Sequence, residues 1–171
     1  MSSYSKLIIF IVVLALILAA ILFIDSSTGS MNKSMKDISD GIVHGDSDYN
    51  EAVNLVNNKS FYEGMVKADS AEKNYNNSLS KLLEFKANFS ADINSVHQDY
   101  IDTVIKELEL KLEAVGLLKK AIDCFKVNEN ATGTNYASQA NDLIYQAKQY
   151  QNQRDELVAD NPNLFKEEFS I

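Results

Sequence analysis

Apolar residues recur at alternating spacings of three and four along three long stretches, and this heptad pattern constrains the fold more than any other feature. The stretches cover residues 61 to 89, 94 to 125 and 136 to 157. Such spacing puts apolar side chains on one face of an α-helix and is typical of coiled-coil packing. Proline breaks helices, and the chain has one, at position 162. The pattern therefore predicts an all-α fold.

The first two stretches align as an antiparallel helical hairpin that reverses between residues 90 and 94. In this alignment Phe61 faces Ile122, and the polar Glu72 faces Lys111, so apolar positions and their polar interruptions coincide. A buried ion pair adds little net stability, but it can fix the register of packed helices. We therefore expect Glu72 and Lys111 to form a register-setting pair.

The third stretch aligns antiparallel with the second and reverses near residue 131. Before these stretches, residues 48 to 57 predict one short helix, and Ser60 with Glu63 matches a capping box at the next helix start. The fold expected from these features is an elongated antiparallel up-down bundle of three long helices and one short helix.

The bundle is expected to occupy residues 46 to 160. Residues 26 to 45 are rich in small polar residues and contain three of the six glycines, which is typical of a polar stalk. Residues 161 to 171 follow the last predicted helix as a C-terminal tail that keeps several apolar side chains.

Eighteen consecutive apolar residues, 7 to 24, precede the predicted stalk. As a helix they would reach about 27 Å, close to one bilayer core, and the run exceeds the roughly 7 to 15 apolar residues of a removable export signal. Residues 1 to 25 are therefore predicted to be a transmembrane helix that is retained as a signal anchor. A cleaved signal stays an alternative, because small residues follow at 27 to 29.

Flanking charge predicts the orientation of this anchor. Lys6 and the α-amine lie on its N-terminal side, and Asp25 begins the other side. Positive flanks stay in the cytoplasm. We therefore expect a single-pass protein of the cell membrane, with its N-terminus inside and its bundle outside the cytoplasm.

Five Asn-x-Ser/Thr sequons support an extracytoplasmic location, since about two are expected by chance from the content of Asn, Ser and Thr. An Asn-rich composition without attached glycans is the alternative interpretation. The predicted glycosylation sites are Asn32, Asn58, Asn76, Asn88 and Asn130.

Charge and residue usage argue against several classes of function. The formal net charge is -8 and the basic residues are scattered among acidic ones, which disfavours binding to nucleic acid. The single cysteine, Cys124, excludes an intramolecular disulfide, and His44 and His97 have no ligand partners at zinc spacing. Glu107 and Glu109 are interpreted as solvated helix-face acids. We expect no enzyme activity, metal or cofactor.

An apolar segment followed by a helical bundle resembles, in layout, the front half of the four-helix-bundle sensor domains of membrane receptors. The chain departs from that pattern, because neither a second apolar span nor an output module follows. The sequence favours a structural or protein-interaction module, which binds an unknown protein partner or self-associates. The alternative is a ligand-binding or sensory bundle, whose predicted pocket lies near Tyr75, Tyr100, Tyr150 and Arg154.

Overall fold

The computed structural model describes residues 20–23, 29–89, 91 and 93–168, and these residues form four long α-helices and two short strands. The helical bundle predicted from the sequence is confirmed. Each helix has 29 to 32 residues, or about 44 to 48 Å by helix rise. The elements in chain order are β1 (Ala20–Phe23), α1 (Gly29–Asn57), α2 (Phe61–Phe89), α3 (Ser95–Lys126), α4 (Asn130–Asp160) and β2 (Phe165–Glu168).

Consecutive helices run antiparallel, because residues late in one helix meet residues early in the next. The contacts that establish this are Asp48–Lys67 and Ile38–Ser78 for α1 and α2, Phe61–Phe125 and Lys86–Asp102 for α2 and α3, and Glu107–Arg154 and Lys120–Tyr136 for α3 and α4. The turns at 58–60 and 127–129 lie at one end of the bundle, here called the distal end. The first residue of α1 and the last residue of α4 lie at the other, proximal end.

The first helix differs most from the expectation. The predicted stalk and the separate short helix are wrong for residues 29 to 57, which form one continuous helix. Its glycines permit close approach to α2 instead of ending the helix: a Cβ added at Gly45 would lie 2.5 Å from Cε1 of Tyr75. Burial of Ile38, Ile42 and Tyr49 then makes α1 a full member of the core.

The predicted hairpin is confirmed as α2 and α3, and α2 begins at Phe61, directly after Ser60 as expected. The detailed register is wrong. Phe61 stacks on Phe125, with ring centroids 5.9 Å apart, where the alignment placed Ile122. The alignment considered only two helices and could not include α1. Because α2 also packs against α1, it presents a different set of residues to α3 than the alignment assumed.

The core follows the heptads closely on α3, where each seam position from residue 97 to 125 is buried. Helix α2 packs against both α1 and α3. Its buried residues therefore lie between the two sides of the helix that face these neighbours. The buried residues of α2 are Gly64, Ala68, Ala71, Tyr75, Ser78, Leu82 and Phe85.

The strands β1 and β2 pair antiparallel at the proximal end, with Leu22 opposite Lys166. Residues 20–23 of the predicted membrane helix form β1 in this structure, whereas its residues 1–19, 24 and 25 lie outside the described residues. In the part of the chain that the structure describes, no helix combines the length and apolar character needed to cross a membrane. Phe165, at the start of β2, is buried against His97 and Tyr100 of α3.

Candidate functional site

A cluster of four buried charges joins three of the helices in the middle of the bundle. Asp46 comes from α1, Glu107 and Lys111 from α3, and Arg154 from α4, and each is at most 3% exposed. Tyr75 of α2 completes the link between all four helices, because its hydroxyl donates a hydrogen bond to Asp46 Oδ1 over 2.6 Å. We call these five residues the ion cluster.

Lys111 is the centre of the ion cluster. Its Nζ lies 2.8 Å from Oδ1 and 3.0 Å from Oδ2 of Asp46. The same ammonium lies 2.7 Å from Oε1 of Glu107. This second contact is an ion pair without good hydrogen-bond geometry, since Glu107 Oε1 accepts no hydrogen bond among the described residues. Arg154 Nη1 donates to the other oxygen, Oε2 of Glu107, over 3.0 Å.

Two carboxylates and two cations leave the ion cluster neutral, which is the condition under which buried charges are tolerated. Burial raises the pKa of Asp46 above its ordinary value, although Lys111 and the Tyr75 hydroxyl oppose this change. Burial also acts to lower the pKa of Lys111, but attraction to Glu107 and Asp46 outweighs it and raises that pKa. Lys111 is therefore held as a cation.

An aromatic ring lies over each cation of the ion cluster. The Tyr75 ring centroid lies 5.7 Å from Lys111 Nζ, and the Tyr100 centroid lies 6.0 Å from Arg154 Cζ. Burial raises the pKa of Tyr100 to about 12, against the opposing effect of Arg154. Tyr49 is fully buried, and its hydroxyl has no hydrogen-bond partner in the described part of the chain.

Among the cavities formed by described residues, three of the predicted pocket residues are divided between two, with Tyr100 and Arg154 in one and Tyr150 in the other. Tyr100 and Arg154 do lie together, but the adjoining cavity measures about 10 Å³, room for about one water molecule. Small-molecule sites usually require roughly 300 to 1,000 Å³. Tyr150 lies apart on the outer face, below Lys106, in an open groove of about 520 Å³ between α3 and α4.

The predicted Glu72–Lys111 pair is wrong. Glu72 pairs with Lys119, whose Nζ lies 2.8 Å from Oε2 in a half-exposed position. Lys111 instead pairs with Asp46. The sequence alignment could not identify this partner, because residue 46 was not predicted to belong to any of the long helices. Lys111 was correctly singled out as a buried polar seam residue, with the wrong partner.

Two members of the ion cluster were missed by sequence reasoning. Glu107 was interpreted as a solvated acid, yet its side chain is 1% exposed and lies between Lys111 and Arg154. One signal was available, because Glu107 precedes Lys111 by four residues and such pairs share a helix face. Asp46 carried no comparable signal, since its burial depends on α1 packing along its full length.

The predicted glycosylation sites lie in different settings. Asn58 is exposed in the turn between α1 and α2, and Asn76 and Asn88 are exposed on α2. Asn32 in α1 and Asn130 at the start of α4 are half-buried.

Among the described residues, no group of His, Cys, Asp or Glu side chains is arranged to hold a metal ion. No protein-family model matches the chain, and no curated protein or solved structure is detectably similar to it. The chemistry of the ion cluster is that of mutual charge compensation, since each carboxylate is paired with at least one cation. It ties the helices together across the core.

Proposed function

We propose that the protein is a membrane-anchored, extracytoplasmic module that acts through protein contacts made by the outside of its helical bundle. The contact part of this proposal is supported by the closely packed core around the ion cluster. The charges of the ion cluster compensate one another, and the cavity beside Tyr100 and Arg154 is about 10 Å³. A rigid bundle of this kind offers its faces and ends to other molecules.

The distal end is the preferred contact region. Exposed apolar side chains mark contact surfaces when they group together. Tyr62 and Val66 lie one turn apart near the start of α2, with 74% and 51% of their surface exposed. Val127, 64% exposed, follows α3 in the turn at the same end. We call these three residues the distal patch.

The anchor proposal rests on the apolar run at 7–24 and on Lys6 before it. A membrane helix over the whole run and the strand at Ala20–Phe23 require the same four residues, so the two arrangements exclude each other. Residues 7 to 19 alone would reach about 20 Å as a helix, less than the roughly 30 Å of a bilayer core. Complete insertion therefore requires β1 to leave β2.

Location is tested by thiol labelling of intact cells, in a Cys124→Ser background. Glu129→Cys at the exposed distal end is compared with Ser2→Cys before the apolar run. A membrane-impermeant reagent should label Glu129→Cys in intact cells and Ser2→Cys only after lysis. Protection of Glu129→Cys in intact cells would overturn the proposed location.

Contact is tested separately by crosslinking in native membranes. We expect adducts in the wild type that are lost in a Tyr62→Ser, Val127→Ser double variant. Tyr145→Ser is the matched control, because Tyr145 is 64% exposed on α4, outside the distal patch. The contact proposal fails if the wild type yields monomer alone, or if the control loses the adducts equally.

A further inference from the structure

We propose that Asn58 is the residue at which this bundle accepts an N-linked glycan, an inference that rests on the proposed extracytoplasmic location. Five sequons are present in the chain, and the fold distinguishes between them. A transferase must reach both the Asn amide and the hydroxyl two residues later. The local backbone around each Asn decides whether it can reach both groups in the folded protein.

A helix separates these two groups. Successive residues are rotated by about 100°, so residues i and i+2 point to nearly opposite faces. Asn76 shows the consequence, because it is exposed while Ser78 is 1% exposed against α1. The Ser78 hydroxyl donates to the carbonyl of Ile38 over 3.1 Å. An enzyme could reach this hydroxyl only by separating α1 from α2.

Three other sequon asparagines are also helical. Asn32 and Asn130 are half-buried, and the carbonyl of Asn130 accepts a hydrogen bond from the Thr134 hydroxyl over 2.8 Å. Asn88 lies in α2, and its Ser90 is outside the described residues. For Asn32 and Asn130, the helical backbone points the Asn side chain away from the side chain of residue i+2.

Asn58 differs because it follows the last residue of α1 and is exposed in a turn. The next residue, Lys59, has a φ of 63°, which takes the chain out of the helical path. The amide of Ser60 then bonds back to the carbonyl of Leu55 over 2.9 Å, closing the turn. The Ser60 side chain is half-buried, and its hydroxyl makes no hydrogen bond among the described residues, unlike the fully buried and bonded hydroxyl of Ser78.

The position also suits a large substituent. The turn at 58–60 is at the distal end, about 44 Å along α1 from the proximal end. A sugar on Asn58 would project into solvent, since the side chain is exposed. Its attachment requires no core side chain to move.

The transfer needs a glycosyl diphosphate-lipid donor and a host transferase. Nδ2 of Asn58 forms a bond to the anomeric carbon of the sugar and loses a proton. The bond between that carbon and the phosphate oxygen breaks, and the lipid diphosphate leaves with the electron pair. No oxidation or reduction takes place.

The test uses the purified, folded full-length chain, incubated with a membrane-bound N-glycosyltransferase and its glycosyl diphosphate-lipid donor. We expect one glycosidase-sensitive adduct per chain, located at Asn58 by peptide mass spectrometry. Asn58→Gln should abolish the adduct and Ser60→Thr should retain it, because threonine supplies the same hydroxyl. Asn76→Gln is the matched control and should leave the yield unchanged, with circular dichroism confirming that each variant folds.

An adduct on Asn76, or no adduct on a folded chain under conditions that modify a standard acceptor peptide, would overturn the inference. This reaction does not depend on where the protein lies in the cell. A chain modified at Asn58 in vitro but protected from thiol labelling in cells would contradict the proposed location alone. A chain labelled in cells but unmodified in vitro would contradict the glycosylation site alone.

Discussion

Nη1 of Arg154 lies 3.0 Å from Oε2 of Glu107, and both side chains are 1% exposed although 47 residues separate them in the chain. This contact links α3 to α4, and Lys111 continues it to Asp46 on α1. Removing one member of such a cluster leaves a buried charge uncompensated, whereas removing an opposite pair does not. The stability of the bundle is therefore expected to depend on the balance of its buried charges.

Lys111→Met should lower the free energy of unfolding by about 3–5 kcal/mol, because it leaves Asp46 and Glu107 with Arg154 as the only cation of the cluster. Asp46→Asn should cost less, since burial already favours the neutral form of residue 46 and raises its pKa. The double variant should cost less than the sum of the two, with a coupling of roughly 0.5–3 kcal/mol. Urea unfolding at pH 7 measures all three.

The control for this cycle is Glu72→Gln, which removes a half-exposed partner of Lys119. It should change stability by no more than about 1 kcal/mol, because solvent screens such pairs. Additive costs for the Lys111 and Asp46 variants would contradict a coupled cluster.

Asp46 should make the protein more stable at low pH than at neutral pH. Burial raises the pKa of Asp46, so the folded protein binds this proton more tightly than the unfolded chain, where the pKa is 3.8. The contribution of Asp46 to stability is therefore full below pH 3.8 and is lost as the pH rises through the raised pKa. The pH at which this contribution is lost also depends on three neighbours of the Asp46 carboxyl group: Glu107 and Lys111 of α3 and Tyr75 of α2.

The measurement is the difference in unfolding free energy between the wild type and Asp46→Asn, followed from pH 7 towards pH 4. Titrations elsewhere in the chain largely cancel in this difference. The wild type should gain stability relative to the variant on acidification. If the wild type instead loses stability relative to the variant on acidification, the folded bundle favours the ionised form of Asp46 and the prediction is wrong.

Two glycine substitutions should act in opposite directions. Gly45→Ala places a Cβ 2.5 Å from the buried Tyr75 ring, whose hydroxyl is held by Asp46, and should cost about 1–3 kcal/mol through overpacking. Gly116→Ala is the matched control, because nothing lies within 4 Å of its added Cβ. It should stabilise the protein by about 0.5–1 kcal/mol. Thermal unfolding of both variants checks the close approach of α1 to α2.

A disulfide should report whether β1 and the membrane helix alternate. Leu22 and Lys166 are paired residues in the sheet, and antiparallel partners about 4.5–5.5 Å apart can form a disulfide. In a Cys124→Ser background, the Leu22→Cys, Lys166→Cys pair should crosslink in protein purified away from lipid. It should stay reduced in membranes, where residues 20 to 23 complete the helix. Equal crosslinking in both settings would contradict an anchor that extends to residue 24.

Much of the architecture was predictable because helix-forming patterns are local. The heptads placed the ends of α2 and α3 within one residue and those of α4 within six residues, and all α3 seam positions from 97 to 125 are buried as expected. These results depend on periodicities that a single helix carries within its own sequence.

The first helix and the charge partners were not predictable in the same way. Gly41 and Gly45 resemble helix breakers in sequence, but packing against Ser78 and Tyr75 makes small residues necessary there. The sequence indicated that Lys111 is buried, but a long, flexible lysine side chain can pair with an acid on any helix that lies opposite it. Its partner follows from which helix lies opposite, and that is a property of the assembled bundle.

The sequence by itself therefore determined that the chain forms long antiparallel helices, because apolar periodicity and the scarcity of proline act residue by residue. Tertiary structure alone decided that Asp46 and Glu107 are buried, that Glu72 pairs with Lys119, and that Ala20–Phe23 pairs with the tail. The physical reason is desolvation. A charge buried in the core must be compensated by groups from other helices, and their identity is set only when the helices pack together.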